Sequence, residues 1–306
     1  MAELELKPQT VTIGGIQIGG PPGENPTVLI GSIFYQGHKI VRDAAKGIFD
    51  KIEAKELLAR ESELSQSTGN PSIIDVIGET AEALINFTEF VAENTCAPFL
   101  VDSSNPKVRL EVMKCLAKAG MQDRMIYNSV ELNATEAELE MLREWGIKNA
   151  VFLAFDPLYL KPLDRVNMLA EKRKGKLDFI QWIKSYGIEN VLVDLGSLDV
   201  PGTGWVAEAC GHVKQTMGYP VGTAPANALY SWEAMRKKGK EAFQAAGSVV
   251  FAMPVFMGAD FIFYGPMSNA PWVYPAVAAA DAMIAYAART RKISPSTEQH
   301  PLYKIF

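Results

Sequence analysis

Six short apolar runs contain, or lead directly into, side chains with hydrogen-bonding or acid–base capacity. Ser72-Ile-Ile-Asp75-Val-Ile77 carries Asp75 and leads to Glu79, and Phe99-Leu-Val-Asp102 continues into Ser103, Ser104 and Asn105. Met125-Ile-Tyr-Asn128 is followed by Ser129, Ala150–Ala154 by Asp156, Asn190-Val-Leu-Val-Asp194 by Ser197, and Pro220–Gly222 by Asn227. Taken singly, each is an ordinary Asx turn or helix N-cap at a strand–helix junction. Repeated at successive strands, the pattern aims carboxylates and amides into one cavity, with Asp102, Asn128 and Asp194 at its centre.

The missing residue types narrow the chemistry. His38, His212 and His300 are the only histidines, and none shares metal-ligand spacing with another, so no histidine-based metal centre is expected. Carboxylates alone can hold Mg²⁺, which leaves Asp75, Asp102 and Asp194 open to a second reading, a Mg-dependent barrel enzyme. Cys96, Cys115 and Cys210 are scattered and odd in number, and suggest neither a disulfide framework nor a zinc site. Lys39, expected to begin a helix, and Lys161, expected in a loop, supply no strand-end Schiff-base lysine. The glycine-rich Gly19–Asn25 segment lacks the Lys-Ser/Thr of a P-loop and precedes a strand, so it reads as a turn. A cup of Asp and Asn without nucleophile or metal suits a planar ligand rich in N–H donors, such as a pterin or guanidine-like ring. A buried carboxylate can accept two adjacent N–H groups at about 1.5–3 kcal/mol per charge-assisted bond, and Asn offers a donor and an acceptor together.

Eight apolar runs have the length of buried parallel strands: Val28–Ser32, Ser72–Ile77, Phe99–Asp102, Met125–Asn128, Ala150–Ala154, Asn190–Asp194, Pro220–Gly222 and Phe261–Tyr264. Helix-period stretches alternate with them. Glu79 to Asn94 carries Ala81, Leu84, Ile85, Thr88 and Val91 on one face, and Lys107 to Ala119 carries Val108, Val112, Leu116 and Ala119. Eight βα units in this length fit a single (β/α)8 TIM barrel better than a doubly wound open sheet. The alternation in Val11–Gly20 around Gly14-Gly15 predicts an N-terminal β-hairpin that caps the rest. One domain is expected, with the hairpin and its loop over residues 1–26, the barrel over 27–291 and a tail over 292–306 that straps across a surface without forming another element.

Hydrophobic residues make up 48% of the chain and charged ones 21%, which excludes intrinsic disorder. With 30 basic residues against 35 acidic ones, a nucleic-acid partner would need a segregated basic face. None is evident, because the runs Lys172–Lys176 and Arg236–Lys240 read as solvated helix faces. The N-terminus has no basic n-region or apolar h-region, and the uncharged stretch Gly247–Ala259 is too short to cross a bilayer. The expectation is a cytoplasmic protein without a transmembrane segment.

The stretch Pro22-Gly-Glu-Asn-Pro-Thr-Val-Leu-Ile-Gly-Ser-Ile-Phe-Tyr-Gln-Gly-His-Lys39 resembles the opening of the MtrH subunit of tetrahydromethanopterin S-methyltransferase. The similarity runs to the C-terminal His300-Pro-Leu-Tyr-Lys-Ile-Phe306. That family includes free-standing relatives that methylate tetrahydrofolate from a methylated corrinoid protein in methylamine or betaine catabolism. The resemblance implies a TIM barrel of the pterin-binding type, a superfamily shared with corrinoid-dependent methyltetrahydrofolate methyltransferases and dihydropteroate synthase. Within it, Asp102-Ser103 is similar to a strand-end Asp-Ser/Thr, Asn128-Ser129 to an Asn-Ser/Asp, and Asp194 to the Asp that meets the pyrimidine edge of the pterin. Asn227 is similar to the Asn beside the reactive N5, although two extra residues separate it from Gly222. Asp75 and Glu79 resemble the Asp-x-Gly-Gly-Glu of dihydropteroate synthase with Ile77 in place of the first Gly, and take second rank.

The implied reaction moves a methyl group between N5 of a tetrahydropterin and the cobalt of methylcobalamin or cob(I)alamin. It needs no covalent protein intermediate, in keeping with the missing Cys or His nucleophile. The chain has no Asp-x-His-x-x-Gly loop, so the corrinoid is expected to arrive on a partner corrinoid protein. The resemblance also suggests a homodimer. Tetrahydrofolate is the favoured carrier, with a tetrahydromethanopterin-specific component of a multi-subunit membrane methyltransferase as the alternative. A pteroate-synthase-like activity is disfavoured, because neither Gly222–Ala228 nor Tyr264–Ala270 carries the Lys and Arg expected for a pyrophosphate substrate.

Overall fold

A computed structural model describes residues 7–172 and 177–306. Eight parallel strands close into a barrel: β1 (Val28–Ile33), β2 (Ser72–Ile77), β3 (Phe99–Asp102), β4 (Met125–Glu131), β5 (Asn149–Leu153), β6 (Asn190–Asp194), β7 (Val221–Thr223) and β8 (Phe261–Pro266). Each strand pairs with its neighbours in sequence, and β8 pairs with β1. The register sets Ser32 opposite Asp75, Ile77 opposite Asp102, and Asp102 opposite Asn128.

Helices link the strands: α1 (Lys51–Thr68), α2 (Ala81–Asn94), α3 (Pro106–Lys118), α4 (Glu136–Glu144), α5 (Pro162–Ala170), α6 (Phe179–Lys184), α7 (Val200–Thr216), α8 (Pro225–Ser231), α9 (Glu233–Arg236), α10 (Lys240–Phe256) and α11 (Ala270–Ala288). Their starts are chemically marked. Asp50, Thr80, Asn105, Thr135 and Asp199 each accept first-turn backbone N–H groups, and Asp178 forms a reciprocal capping box with Gln181. Asp156 likewise accepts from the Leu158 N–H as an Asx turn.

Side chains alternate along each strand, so one set faces the helices and the other the barrel interior. Leu29, Ile74, Val76, Phe99, Val101, Tyr127, Phe152 and Val193 pack outward against helix faces such as Leu84, Phe87 and Val91 of α2 and Val112 and Leu116 of α3. Full burial of one such side chain contributes roughly 1.5–3 kcal/mol. The inward set is apolar at the bottom: Ile30, Ile73, Leu100, Ile126, Val151, Leu192 and Phe261. The antiparallel hairpin Thr10–Ile13/Ile16–Gly19 inserts Val11, Ile13 and Ile18 into this layer and closes the N-terminal end of the barrel. The predicted capping role of the hairpin is met. Two residues further along β2, β3, β4 and β6, the same inward row turns polar at Asp75, Asp102, Asn128 and Asp194.

Several expectations need correction. Lys39 begins no helix; it lies in a turn before a small antiparallel pair, Val41–Asp43 with Ile48–Phe49, and α1 starts at Lys51. The tail does form an element, helix α12 (Pro301–Lys304), packed on α1 and α11. Its approach needs Gly69, since a Cβ there would lie 2.0 Å from the Gln299 carbonyl oxygen and φ is 86°. Arg236–Lys240 is exposed but spans the α9–α10 junction instead of a helix face, whereas 173–176 of the other basic run lie outside the described residues. The uncharged run Phe261–Ala280 is divided among β8, a 3₁₀ turn and the first half of α11. Among the described residues no helix is long and apolar enough to cross a membrane.

Candidate active site at the barrel mouth

The polar layer opens into a cavity of about 450 Å³ at the C-terminal ends of the strands. Asp75, Asp102, Ser103, Asn128, Ser129, Asp194 and Asn227 all line it. Glu79 does not. It is exposed and accepts a 2.6 Å hydrogen bond from Ser104 Oγ, because the chain turns outward after Ile77 to enter α2.

At the floor, Ser32 Oγ donates to Asp75 Oδ2 at 2.7 Å, while Asp75 Oδ1 is buried without a hydrogen-bond partner. Burial pushes the Asp75 carboxyl up to about 6 against the pull of the Ser32 hydroxyl and of the neighbouring Asp102 and Asn128 side chains. Asp102 is held well above the usual carboxylate range, first by burial and then by the neighbouring Asp75 carboxylate, with the Arg109 guanidinium opposing. Both shifts are upward, so each carboxyl favours its protonated form more than an exposed Asp would. Across the cup, burial raises Asp194 to about 6, opposed by the Gly196 N–H, which donates to its Oδ1 at 2.8 Å, and by Arg165. Gly196 has φ 63°, and a Cβ there would meet the Phe155 ring at 3.1 Å, so a glycine lets the chain turn over that aromatic wall. Asn227 stands higher, in the first turn of α8, exposed at the cavity rim.

Several lining residues escaped the sequence reading. Ser32 completes the inward row of β1 two residues after Ile30. Arg109 lies in the first turn of α3, where side chains lean back toward the strand ends. Its guanidinium is buried and donates to the carbonyls of Ser103 (2.6 Å) and Ser129 (3.0 Å) and to Glu131 (3.1 Å), over the Tyr127 ring. These bonds tie together the two loops that carry the predicted Ser103 and Ser129. Glu131 reaches the cavity because a bulge between Asn128 and Val130 shifts the register of β4. Phe155 and Phe263 give the cup aromatic surface.

The cup fits a flat heterocycle bearing N–H groups. It holds two carboxyls raised to about 6, a third raised by burial and by its neighbour, an amide at each of two heights, and aromatic walls. Among the described residues no group of three or more His, Cys, Asp or Glu side chains is gathered to hold a metal ion.

This architecture is a TIM barrel of the kind found in the dihydropteroate synthases. Dihydropteroate synthase from Xanthomonas albilineans in complex with 7,8-dihydropteroate superposes with a TM-score of 0.61 at 17% identity, covering 90% of this chain and 98% of that one. The Yersinia pestis enzyme with a pterine-sulfa conjugate gives 0.59 at 15% identity, covering 92% and 99%. At such identities the likeness concerns the fold. Residues 7–296 match the family described as tetrahydromethanopterin S-methyltransferase MtrH subunit. The corresponding component of that enzyme from Methanothermobacter thermautotrophicus is 37% identical over all of both chains, and that of Methanopyrus kandleri 36% identical over 94% of each. The chain belongs to the MtrH family and is a methyltransferase.

Proposed function

We propose that this chain transfers a methyl group between N5 of tetrahydromethanopterin and a corrinoid presented by a partner protein, as the pterin-handling component of a multi-subunit methyltransferase. The observation that carries the reading is the ring of strand-end carboxyl and amide groups around Asp75, whose buried Oδ1 has no well-aligned hydrogen bond, an acceptor set that calls for a ligand with several N–H donors. The names of the relatives support this choice of carrier. No residue in the sequence favoured tetrahydrofolate over tetrahydromethanopterin, and the similar curated proteins are named for the latter.

Asp194 would accept from the pyrimidine edge of the pterin, while Asp75 and Asp102 hold the ring from the β2–β3 side with Asn128 between them. Ser103 and Ser129, fixed through their carbonyls by Arg109, would bridge to the ring through water. Asn227, at the rim, would orient N5 and exchange hydrogen bonds with its proton, since N5 must be unprotonated to accept a methyl group and protonated to leave. The corrinoid supplies the metal centre that donates or accepts the methyl group when its carrier docks at the mouth. The protein contributes alignment and exclusion of water.

Calorimetry with tetrahydromethanopterin and with tetrahydrofolate, followed by the cobalamin absorbance after methylcobalamin is added, tests the proposal. Binding of tetrahydromethanopterin with loss of the methylcobalamin band supports it. Tight binding of tetrahydrofolate alone would return the reading to a free-standing tetrahydrofolate enzyme, and binding of neither would remove the pterin site.

A further inference from the structure

A second cavity, of about 430 Å³, lies beside the mouth between α1, the start of α10 and the turn after β8. Its chemistry differs from that of the cup. Arg60 and Lys240 line it, and among the described residues neither has an ion-pair partner. Phe243 and Trp272 form an aromatic wall, their ring centroids 6.3 Å apart at 73°. Gln244 and Ser268 add uncharged polar groups. Two unpaired cations beside aromatic rings, in a chain of net charge −5, suit an anion attached to an aryl or other apolar stem.

A hydrogen-bonded pair, Tyr230 and Asn269, lies between residues of this cavity and residues of the cup. Asn269, which lines the second cavity, donates from Nδ2 to the Tyr230 hydroxyl at 2.9 Å. Tyr230 lies 5.5 Å, centroid to centroid, from Phe243. On its other side it comes within 3.8 Å of the position a Cβ would take on Gly265, a residue of the cup. Tyr230 also follows Asn227 by three residues on α8, so both lie on the same face of that helix.

We infer that the second cavity receives the anionic tail of the tetrahydropterin carrier. This rests on the proposed function, which places N5 beside Asn227. In a tetrahydropterin the tail departs from C6, the ring atom next to N5, and so leaves the cup on the α8 side, over the Tyr230–Asn269 pair. The tail carries an aryl group followed by carboxylate or phosphate, which matches Phe243 and Trp272 followed by Arg60 and Lys240. Affinity for the whole carrier is then the product of two sites joined by one ligand, and only the second is sensitive to salt.

The test compares calorimetric Kd values for 6-methyltetrahydropterin, which has no tail, with those for tetrahydromethanopterin and tetrahydrofolate. The expected result is a tailed carrier binding at least about ten-fold tighter than the tailless pterin at about 0.05 M KCl, with most of the advantage lost at about 0.5 M. Arg60→Ala and Lys240→Ala should each bring the tailed carrier toward the tailless value and leave the tailless Kd unchanged. Equal Kd values for tailed and tailless ligands in the wild-type protein would overturn the inference, and this arm needs no variant to fold. A loss of tailless binding in the variants would overturn it too, by making the two residues structural. Failure of the tailless pterin to bind the wild-type protein would instead refute the cup assignment on which the inference rests.

Discussion

Asp194→Asn should make the protein more stable and a poorer enzyme. Burial raises the Asp194 carboxyl from 3.8 to about 6, so at pH 7.5 the folded state carries an ionised group that costs more there than in the unfolded chain. A shift of roughly two pKa units corresponds to at most about 3 kcal/mol. Asn has almost the same shape, can still accept the Gly196 N–H through Oδ1 and carries no charge to desolvate. The sign follows from proton binding. Between about pH 4 and 6 the folded wild-type protein holds a proton that the unfolded chain has released, so its stability falls as pH rises through that window and levels off above it. The variant lacks this loss, and its advantage should be greatest above pH 6 and vanish below about pH 4. With an unfolding entropy of about 2.1 cal/mol/K per residue, 3 kcal/mol becomes roughly 5 °C in Tm for a chain of this length. Calorimetric melting at pH 7.5 and pH 4 measures it. Pterin affinity should fall about ten- to hundred-fold, because the acceptor loses its charge. A variant that melts below wild type at pH 7.5, or by the same margin at both pH values, would refute the argument that Asp194 is an electrostatically costly group kept for binding.

Asn227→Ala should lower kcat about ten- to hundred-fold with little change in KM, since its amide stands at the rim beyond the ring-holding groups; steady-state kinetics showing the reverse would exchange its role with that of Asp194. Lys214 Nζ pairs with Asp260 and donates to the Gly20 carbonyl at 3.0 Å, with both charged side chains almost fully buried. Lys214→Met should therefore cost about 3–5 kcal/mol in denaturant unfolding, and adding Asp260→Asn should recover part of the loss. A Cβ on Gly222 would fall 2.2 Å from the Phe261 carbonyl oxygen, so Gly222→Ala should destabilise by about 3 kcal/mol, read as a lowered midpoint in the same experiment.

The strands were legible because each is a short apolar run bounded by turn residues, and buried parallel strands leave that trace whatever their neighbours. Precision failed where the trace is short or interrupted. β7 has three residues and lies one position later than its apolar run, and β4 continues past Asn128 to Glu131 through a bulge with no sequence signature. The hairpin after β1 was missed because Lys39 reads as the start of a helix. In the site, Asp75, Asp102, Asn128 and Asp194 were visible because a polar residue is conspicuous in an apolar strand. Ser32 was not singled out although it ends the predicted strand Val28–Ser32, since a serine is far less conspicuous there than a carboxylate or an amide. Arg109 was hidden for a different reason: its burial depends on the geometry of α3 against β4, and a helical arginine is ordinarily solvated. Glu79 erred the other way, because a carboxylate four residues beyond Asp75 resembled a site residue, but the turn into α2 carries it outside.

The hairpin that fills the lower end of the barrel also fixes the traffic through it. With Ile13 and Ile18 packed among Ile30, Ile73, Leu100 and Ile126, the lower end of the barrel is filled, and among the described residues the cup opens at the mouth. The ligand that reaches Asp75 must pass before anything docks over the rim, and it can depart only after the rim is cleared. Turnover should therefore be ordered, with the small heterocycle first on and last off, and product inhibition patterns should carry the signature of a single entrance.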